Sequence, residues 1–148
     1  MGPRAREFRT VCKLSAGSPQ YLFVYGTLRA NADTEEARFL ASHAQSVSGG
    51  RVQGRLYRIA HYPGMVLSAE ADDWVLGEVF EVLAPEIFVE LDKYEGCGPD
   101  DPQPHEYRRG PVPVWLDGDT CIEAFTYLYE WSVEGCARIW SGDFLKGA

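Results

Sequence analysis

The stretch that decides the fold is Tyr21-Leu22-Phe23-Val24-Tyr25-Gly26-Thr27-Leu28. Its aromatic and branched residues predict a short buried strand. The run breaks at Gly26, which predicts a tight loop. There, backbone N–H groups can point at a guest because no side chain blocks the approach. A second stretch, Leu91-Asp92-Lys93-Tyr94-Glu95-Gly96, brings one carboxylate, Glu95, to the end of an expected helix. An anion cradle beside a single acid/base group points to a small-molecule site.

At 148 residues the chain suits one domain. A domain of this size buries roughly 68–70% of its unfolded surface, so it folds without a metal or a disulfide. Residues 1–20 hold Arg4, Arg6, Arg9 and Lys13 against Glu7, and read as a flexible tail before a single domain at 21–148. That tail is locally +3, so the net charge of −8 leaves about −11 on the body. Such a body repels nucleic acid. No apolar run reaches the ~20 residues that would cross a bilayer, so no membrane partner is expected. Cys12, Cys97, Cys121 and Cys136 form no CxxC pair and fit no zinc spacing. With no secretory h-region, reduced thiols in the cytoplasm are the expectation. The oligomeric state is not written in the sequence.

Beyond the first strand, Asp33 is placed to cap a helix, with Glu36 at the capping-box position. Ala37, Leu40 and Ala44 share a face of that helix, and Gly49-Gly50 ends it. Residues 51–59 alternate as a strand, with a bend or bulge at Gly54. A turn at 61–64 leads to a short strand at 65–67. Residues 74–83 form a strand in which Gly77 marks a close approach of backbone or ligand. Pro85 opens a helix that carries Ile87, Leu91 and Tyr94 and that Gly96 caps. Residues 107–116 and 121–130 flank the hairpin signal Asp117-Gly118-Asp119. Pro111 and Pro113 push the first of these toward an edge. A short terminal helix is expected within 132–145. These elements sum to about six strands and two or three helices. They predict an α+β fold: a small mixed, largely antiparallel β-barrel with helices against it.

In order along the chain stand FVYGTLR (23–29), GRLY (54–57), YPGMV (62–66) and V-x-GEVFEV (75–82). They are followed by LDKYEG (91–96), YRR (107–109), an aromatic strand at 124–129 and SGDF (141–144). This series resembles the gamma-glutamylcyclotransferase-like superfamily, in particular its AIG2-like and gamma-glutamylamine cyclotransferase branch. The resemblance covers nearly the whole of residues 21–144. It implies a fold built on a small β-barrel, and a reaction that turns a γ-glutamyl amide into 5-oxoproline and a free amine. No metal or organic cofactor is implied. By motif, Tyr25, Gly26, Thr27 and Leu28 bind the substrate and Glu95 is the proton acceptor. Two features depart from the family pattern: a long segment between Glu95 and Tyr107 that carries Asp100 and Asp101, and Gly110-Pro111 after YRR. Both bear on the leaving amine more than on the core chemistry.

The chemistry explains why these residue types suffice. The substrate's α-amine attacks its own γ-carbonyl, so no catalytic Ser or Cys is needed. Holding the flexible glutamyl chain in attack geometry lowers the barrier by several kcal/mol. One carboxylate can take the proton from the α-amine and then give it to the leaving nitrogen. A model α-amine titrates near ~7.8 and a model Glu near ~4.3, a gap worth roughly 5 kcal/mol. Burial of Glu95, with Tyr94, Phe80 and Trp74 as candidate walls, would narrow that gap. Amides at 26–28 and the Thr27 hydroxyl are placed to receive the α-carboxylate, with Arg29 as a supplementary charge. Tyr25, or a tyrosine from 125–129, is a candidate donor to the oxyanion.

The plainer readings are these. Glu95 can be a solvated helix-end acid, and Gly26 merely a turn. Glu78 and Glu81 read as strand surface. Tyr107, Arg108 and Arg109 read as structural partners of acids across the barrel. Cys97 with His105 lacks the oxyanion loop of a hydrolase. Two functional rivals also stand: an enzyme of the same fold acting on another acylated small molecule, and a non-catalytic metabolite-binding protein.

Overall fold

The computed structural model of the chain describes residues 20–26, 34–118 and 120–146. In chain order the elements are β1 (Gln20–Val24), α1 (Glu35–His43), β2 (Ala44–Arg58), β3 (Pro63–Leu67) and β4 (Trp74–Val82). Then follow α2 (Ile87–Tyr94), β5 (Tyr107–Leu116), β6 (Cys121–Tyr129) and β7 (Ala137–Arg138).

The apolar run does become β1, and it has a partner on each edge. It runs antiparallel to β4 from Gln20↔Val82 to Val24↔Glu78, and parallel to β6 at Leu22↔Phe125. Its side chains alternate between two cores. Leu22 and Val24 pack with Leu40, Phe80, Phe88 and Leu91 under the helices. Phe23 and Tyr25 pack with Val52, Val75, Val79, Val112 and Val114 inside the barrel. A strand buried on both faces has no polar side, which is why 21–25 reads as a continuous apolar run. Burying Leu22 or Phe23 is worth about 1.5–3 kcal/mol, enough to offset the roughly 1–2 kcal/mol of backbone entropy lost per ordered residue.

The strand order β2-β4-β1-β6-β5 closes on itself where Gly50↔Leu116 and Arg51↔Trp115 join β2 to β5. The result is a closed five-stranded mixed barrel, antiparallel except at β1–β6, with two helices against it. The fold is the α+β barrel that the sequence predicts. The prolines lie on β5, with Pro111 and Pro113 both exposed.

Four local expectations change. Thr34 caps α1, its hydroxyl accepting the Ala37 N–H at 3.0 Å. Glu36 is therefore not at the capping-box position, and Asp33 lies outside the described residues. The helix ends at His43, and Gly49-Gly50 lie within β2 because pairing with β4 claims that segment. The bulge in β2 falls between Ser46 and Ser48, whereas Gly54 marks the residue where β2 exchanges β4 for β3 as its partner. Residues 132–145 form turns around β7, tied down by Ile139 N–H to Leu56 O at 2.8 Å and Leu76 N–H to Gly142 O at 2.7 Å. Residues 1–19 of the expected tail lie outside the described residues, and Gln20 already belongs to β1.

Gly77 fulfils its expected role. A Cβ there would meet the Val24 carbonyl and stand 2.8 Å from Phe23 Cζ. Gly77→Ala is expected to lose about 1–3 kcal/mol through overpacking, read as a lower midpoint in urea. An unchanged midpoint would show that β1 yields more readily than its packing implies.

Candidate functional site

A cavity of about 480 Å³ opens where β1 ends. Tyr25 and Gly26 line it from just past β1, Tyr94, Glu95 and Gly96 from the end of α2, and Thr34 and Glu36 from the start of α1. His61, Tyr62 and Pro63 close it from the β2–β3 turn, with Glu106, Tyr107 and Tyr127 on the β5–β6 side. The helix end and the strand end predicted from sequence therefore share one cavity. Thr27, Leu28 and Arg29 lie outside the described residues.

The sequence builds this corner through long-range tyrosine contacts. The Tyr25 hydroxyl donates to the Tyr127 carbonyl at 2.5 Å and accepts the Met65 N–H at 3.1 Å. Tyr107 donates to the Pro63 carbonyl at 2.5 Å and so holds the β2–β3 turn. Pro63 in turn lies against Gly26: a Cβ on Gly26 would stand 2.8 Å from Pro63 Cγ. The glycine is needed here for close approach between two loops. The Tyr25 proton is already committed to Tyr127, so its hydroxyl is part of the wall and not a spare oxyanion donor.

Glu95 sits at the C-terminal cap of α2 with φ −84° and ψ 0°. Its N–H bonds to Leu91 O at 2.9 Å, and Gly96, at φ +76°, reverses the chain. Cys97 N–H then reaches Asp92 O at 2.9 Å, and Gly96 N–H reaches Lys93 O at 3.1 Å. This left-handed cap ends the helix and turns Glu95 toward the cavity. The Glu95 carboxyl is pushed up to about 8. Burial is the first cause, followed by the negative charges of Glu106, Asp92 and Glu36. Glu106 accepts a hydrogen bond from Tyr62 at 2.6 Å. That bond, with burial second, holds the Tyr62 phenol up at about 12. Burial likewise raises Tyr25, Tyr107 and Tyr127, so these phenols stay protonated.

Sequence reasoning had not placed Glu36, Glu106, Tyr62 or Tyr107 at the site. Only their long-range packing brings them there. Of the candidate walls, Tyr94 lines the cavity. Phe80 lies in the core under the helices, and Trp74 stacks with Arg51 at 4.8 Å. Asp100 and Asp101 do not line this cavity, although Gly96 and Glu106 at the two ends of their segment do; Asp101 instead accepts the Gly98 N–H at 2.8 Å. Cys97 and His105 line a separate cavity, and burial pushes the Cys97 thiol up to about 11, away from nucleophilic character. Arg109 pairs with Asp92 on α2, and Arg108 with Glu130 on the adjacent strand side. Among the described residues no cluster of His, Cys, Asp and Glu could hold a metal, and no helix is long and apolar enough to cross a membrane.

The fold has counterparts among known proteins. Residues 22–146 match the family model described as gamma-glutamyl cyclotransferase, AIG2-like, and the chain belongs to that family. The crystal structure of YkqA from Bacillus subtilis superposes with a TM-score of 0.63 at 26% identity, over 84% of this chain and 39% of that one. This chain thus spans about two fifths of YkqA. Protein ytfP from Escherichia coli gives a TM-score of 0.58 at 26% identity, covering 85% of this chain and 96% of the other. An AIG2-like protein from Mus musculus shares the fold with a TM-score of 0.62 at 24% identity, covering 78% and 81%. No curated protein sequence matches the chain.

The raised Glu95 carboxyl has a consequence for stability. The unfolded group ionises near 4.5 and the folded one near 8, so the folded state holds an extra proton between these values. Stability therefore falls as pH rises through that window. Glu95→Gln removes the titration. Its melting temperature is expected to gain on the wild type from pH 5 to pH 9, by an amount equivalent to a few kcal/mol. A difference that stays flat with pH would show that the carboxyl ionises normally.

Proposed function

We propose that this chain is a cyclotransferase that converts a γ-glutamyl amide into 5-oxoproline and a free amine, with Glu95 as the acid/base. The observation that carries this reading is the placement of Glu95 in one cavity with Tyr25 and Gly26, at a proton affinity of about 8. A model α-amine titrates near ~7.8. Transfer from the substrate ammonium to Glu95 is then close to isoenergetic, where an ordinary carboxylate would face roughly 5 kcal/mol.

The steps follow from that match. Glu95 takes a proton from the α-ammonium. The freed nitrogen attacks the γ-carbonyl carbon, and the C–N bond of the ring forms. Glu95 returns that proton to the leaving nitrogen and the old C–N bond breaks; the remaining extra proton on the ring nitrogen passes through Glu95 to the freed amine, which departs as an ammonium and leaves the neutral lactam. The backbone at Tyr25, Gly26, Thr27 and Leu28 binds the glutamyl head, whose α-carboxylate suits amide donors. The tyrosine-rich wall excludes water and holds the chain bent. Glu36 and Glu106 add negative charge that favours the bound ammonium.

The test is release of 5-oxoproline from a panel of γ-glutamyl amines and dipeptides, identified by mass spectrometry. Glu95→Gln is expected to lower kcat by about 10²–10⁴-fold while the protein stays folded. The wild-type kcat/KM should trace a bell centred near pH 8, because the productive complex holds one proton between two groups of similar affinity. Turnover that survives in Glu95→Gln would end the mechanism. Turnover to a different product would favour another acylated substrate on the same fold.

A further inference from the structure

Asp92 lies three residues before Glu95 and makes more directed contacts than any other described acid on α2. Its Oδ1 accepts the Tyr127 hydroxyl at 2.6 Å and Arg109 Nε at 2.9 Å, and its Oδ2 accepts Arg109 Nη2 at 3.2 Å. The Arg109 guanidinium in turn stacks over Phe88 of α2 at 4.5 Å and Phe125 of β6 at 5.1 Å. The pair is partly buried, with 28% of the Arg109 side chain exposed and 19% of Asp92. A fork-to-fork pair packed against two rings is rigid as well as charged. It fastens the last turn of α2 to β5 through Arg109 and to β6 through Tyr127. The Asp92 backbone meanwhile accepts the Cys97 N–H that closes the cap around Glu95.

We infer that Asp92, locked by Arg109 and Tyr127, is the positioning residue that presents the Glu95 carboxyl to the cavity and adds to the negative charge it meets there. The inference rests on the cyclotransferase reading for its kinetic consequences, though not for its electrostatic ones. Glu95 meets charged and titratable groups from every side: Glu36 of α1, Glu106 and Tyr107 at β5, Tyr25 of β1, Tyr127 of β6, and His61 with Tyr62 in the β2–β3 turn. Asp92 differs from these in being covalently close and in carrying a paired cation. The charge of Asp92 raises the proton affinity of Glu95. Arg109 is the cation paired with the Asp92 carboxylate. Charge and geometry are therefore separable. Asp92→Asn keeps the shape and an acceptor for Tyr127, but leaves the Arg109 cation uncompensated. Arg109→Lys keeps the cation and loses the fork.

The experiment follows the Glu95 carboxyl by carbon NMR titration in the free protein and measures kcat and KM for a γ-glutamyl amine. Asp92→Asn should move the Glu95 midpoint down by about half a pH unit or more and carry the acid limb of the rate profile with it. Arg109→Lys should leave the midpoint near its wild-type place and lower kcat about fivefold or more at unchanged KM. A folded Asp92→Asn protein with wild-type midpoint and kcat overturns the inference. Should Asp92→Asn not fold, Arg109→Lys decides: wild-type kcat overturns the inference, and a fall in kcat alone supports it. A wild-type chain that turns over no γ-glutamyl amide sinks the cyclotransferase reading, while the NMR midpoints still decide the role of Asp92.

Discussion

The buried hydroxyl of Tyr25 joins three strands at one point. It donates to the carbonyl of Tyr127 in β6 and accepts the amide of Met65 in β3, while its own backbone ends β1. Each bond contributes only about 1 kcal/mol net, but an orphaned Met65 N–H would cost about 1–3 kcal/mol. The geometry leaves the chain one exit, through Gly26 against Pro63. Gly26 against Pro63 thus ties this wall of the cavity to the barrel. Closure of the five strands adds rigidity there, since β1 is paired on both of its edges.

Around this corner the fold gathers groups that oppose one another. Glu36, Glu95 and Glu106 line the same cavity, and Asp92 stands behind it. Burying Glu95 and packing that many carboxylates together both work against stability, and the rise in the Glu95 proton affinity is the response, to burial first and to the like charges second. The phenols of Tyr25, Tyr107 and Tyr127, all held above their ordinary range by burial, contribute fixed dipoles and no competing charge. A site of this kind is stabilised from outside, by the two apolar cores that β1 shares and by the Asp92–Arg109 fork. Natural folds accept such local loss where a proton must be poised.

Much of this was legible in the sequence because it is local. The apolar run of β1, the alternation and Gly77 of β4, the hairpin at Asp117-Gly118 and the helix from Ile87 to its Gly96 cap each declare themselves within about ten residues. What was not legible depends on distant partners. Nothing in Gly49-Gly50 says strand until β4 lies beside it. Residues 132–145 have helix-like composition, yet Ile139 and Gly142 are claimed by β2 and β4. At the site, Glu95 and Gly26 were readable from their motifs. Glu36 reads as a capping residue and Tyr62 as part of a turn, and nothing local singles out Glu106, because the bond between Tyr62 and Glu106 spans 44 positions of chain.

The position of Glu95 on α2 carries an argument of its own. A helix C-terminus bears a partial negative charge of roughly half an electron, so a carboxylate there is disfavoured by about 0.3–1 kcal/mol when exposed, and by more when buried. Helices usually place Lys, Arg or His at that end, and α2 does so with Lys93. Glu95 breaks the rule two residues later, inside a cavity already rich in acid. At a helix start the same carboxyl would be held ionised by amide donors and would be too weak a base for an ammonium. Here the carbonyl ends of α2, the burial and the neighbouring carboxylates all act in one direction, toward a proton held near neutrality. A residue that contradicts local preference, burial cost and like-charge repulsion at once is where a stability-driven sequence would have changed. Glu95 meets all three costs in the cavity beside the end of β1, where the proposed proton transfer would use them.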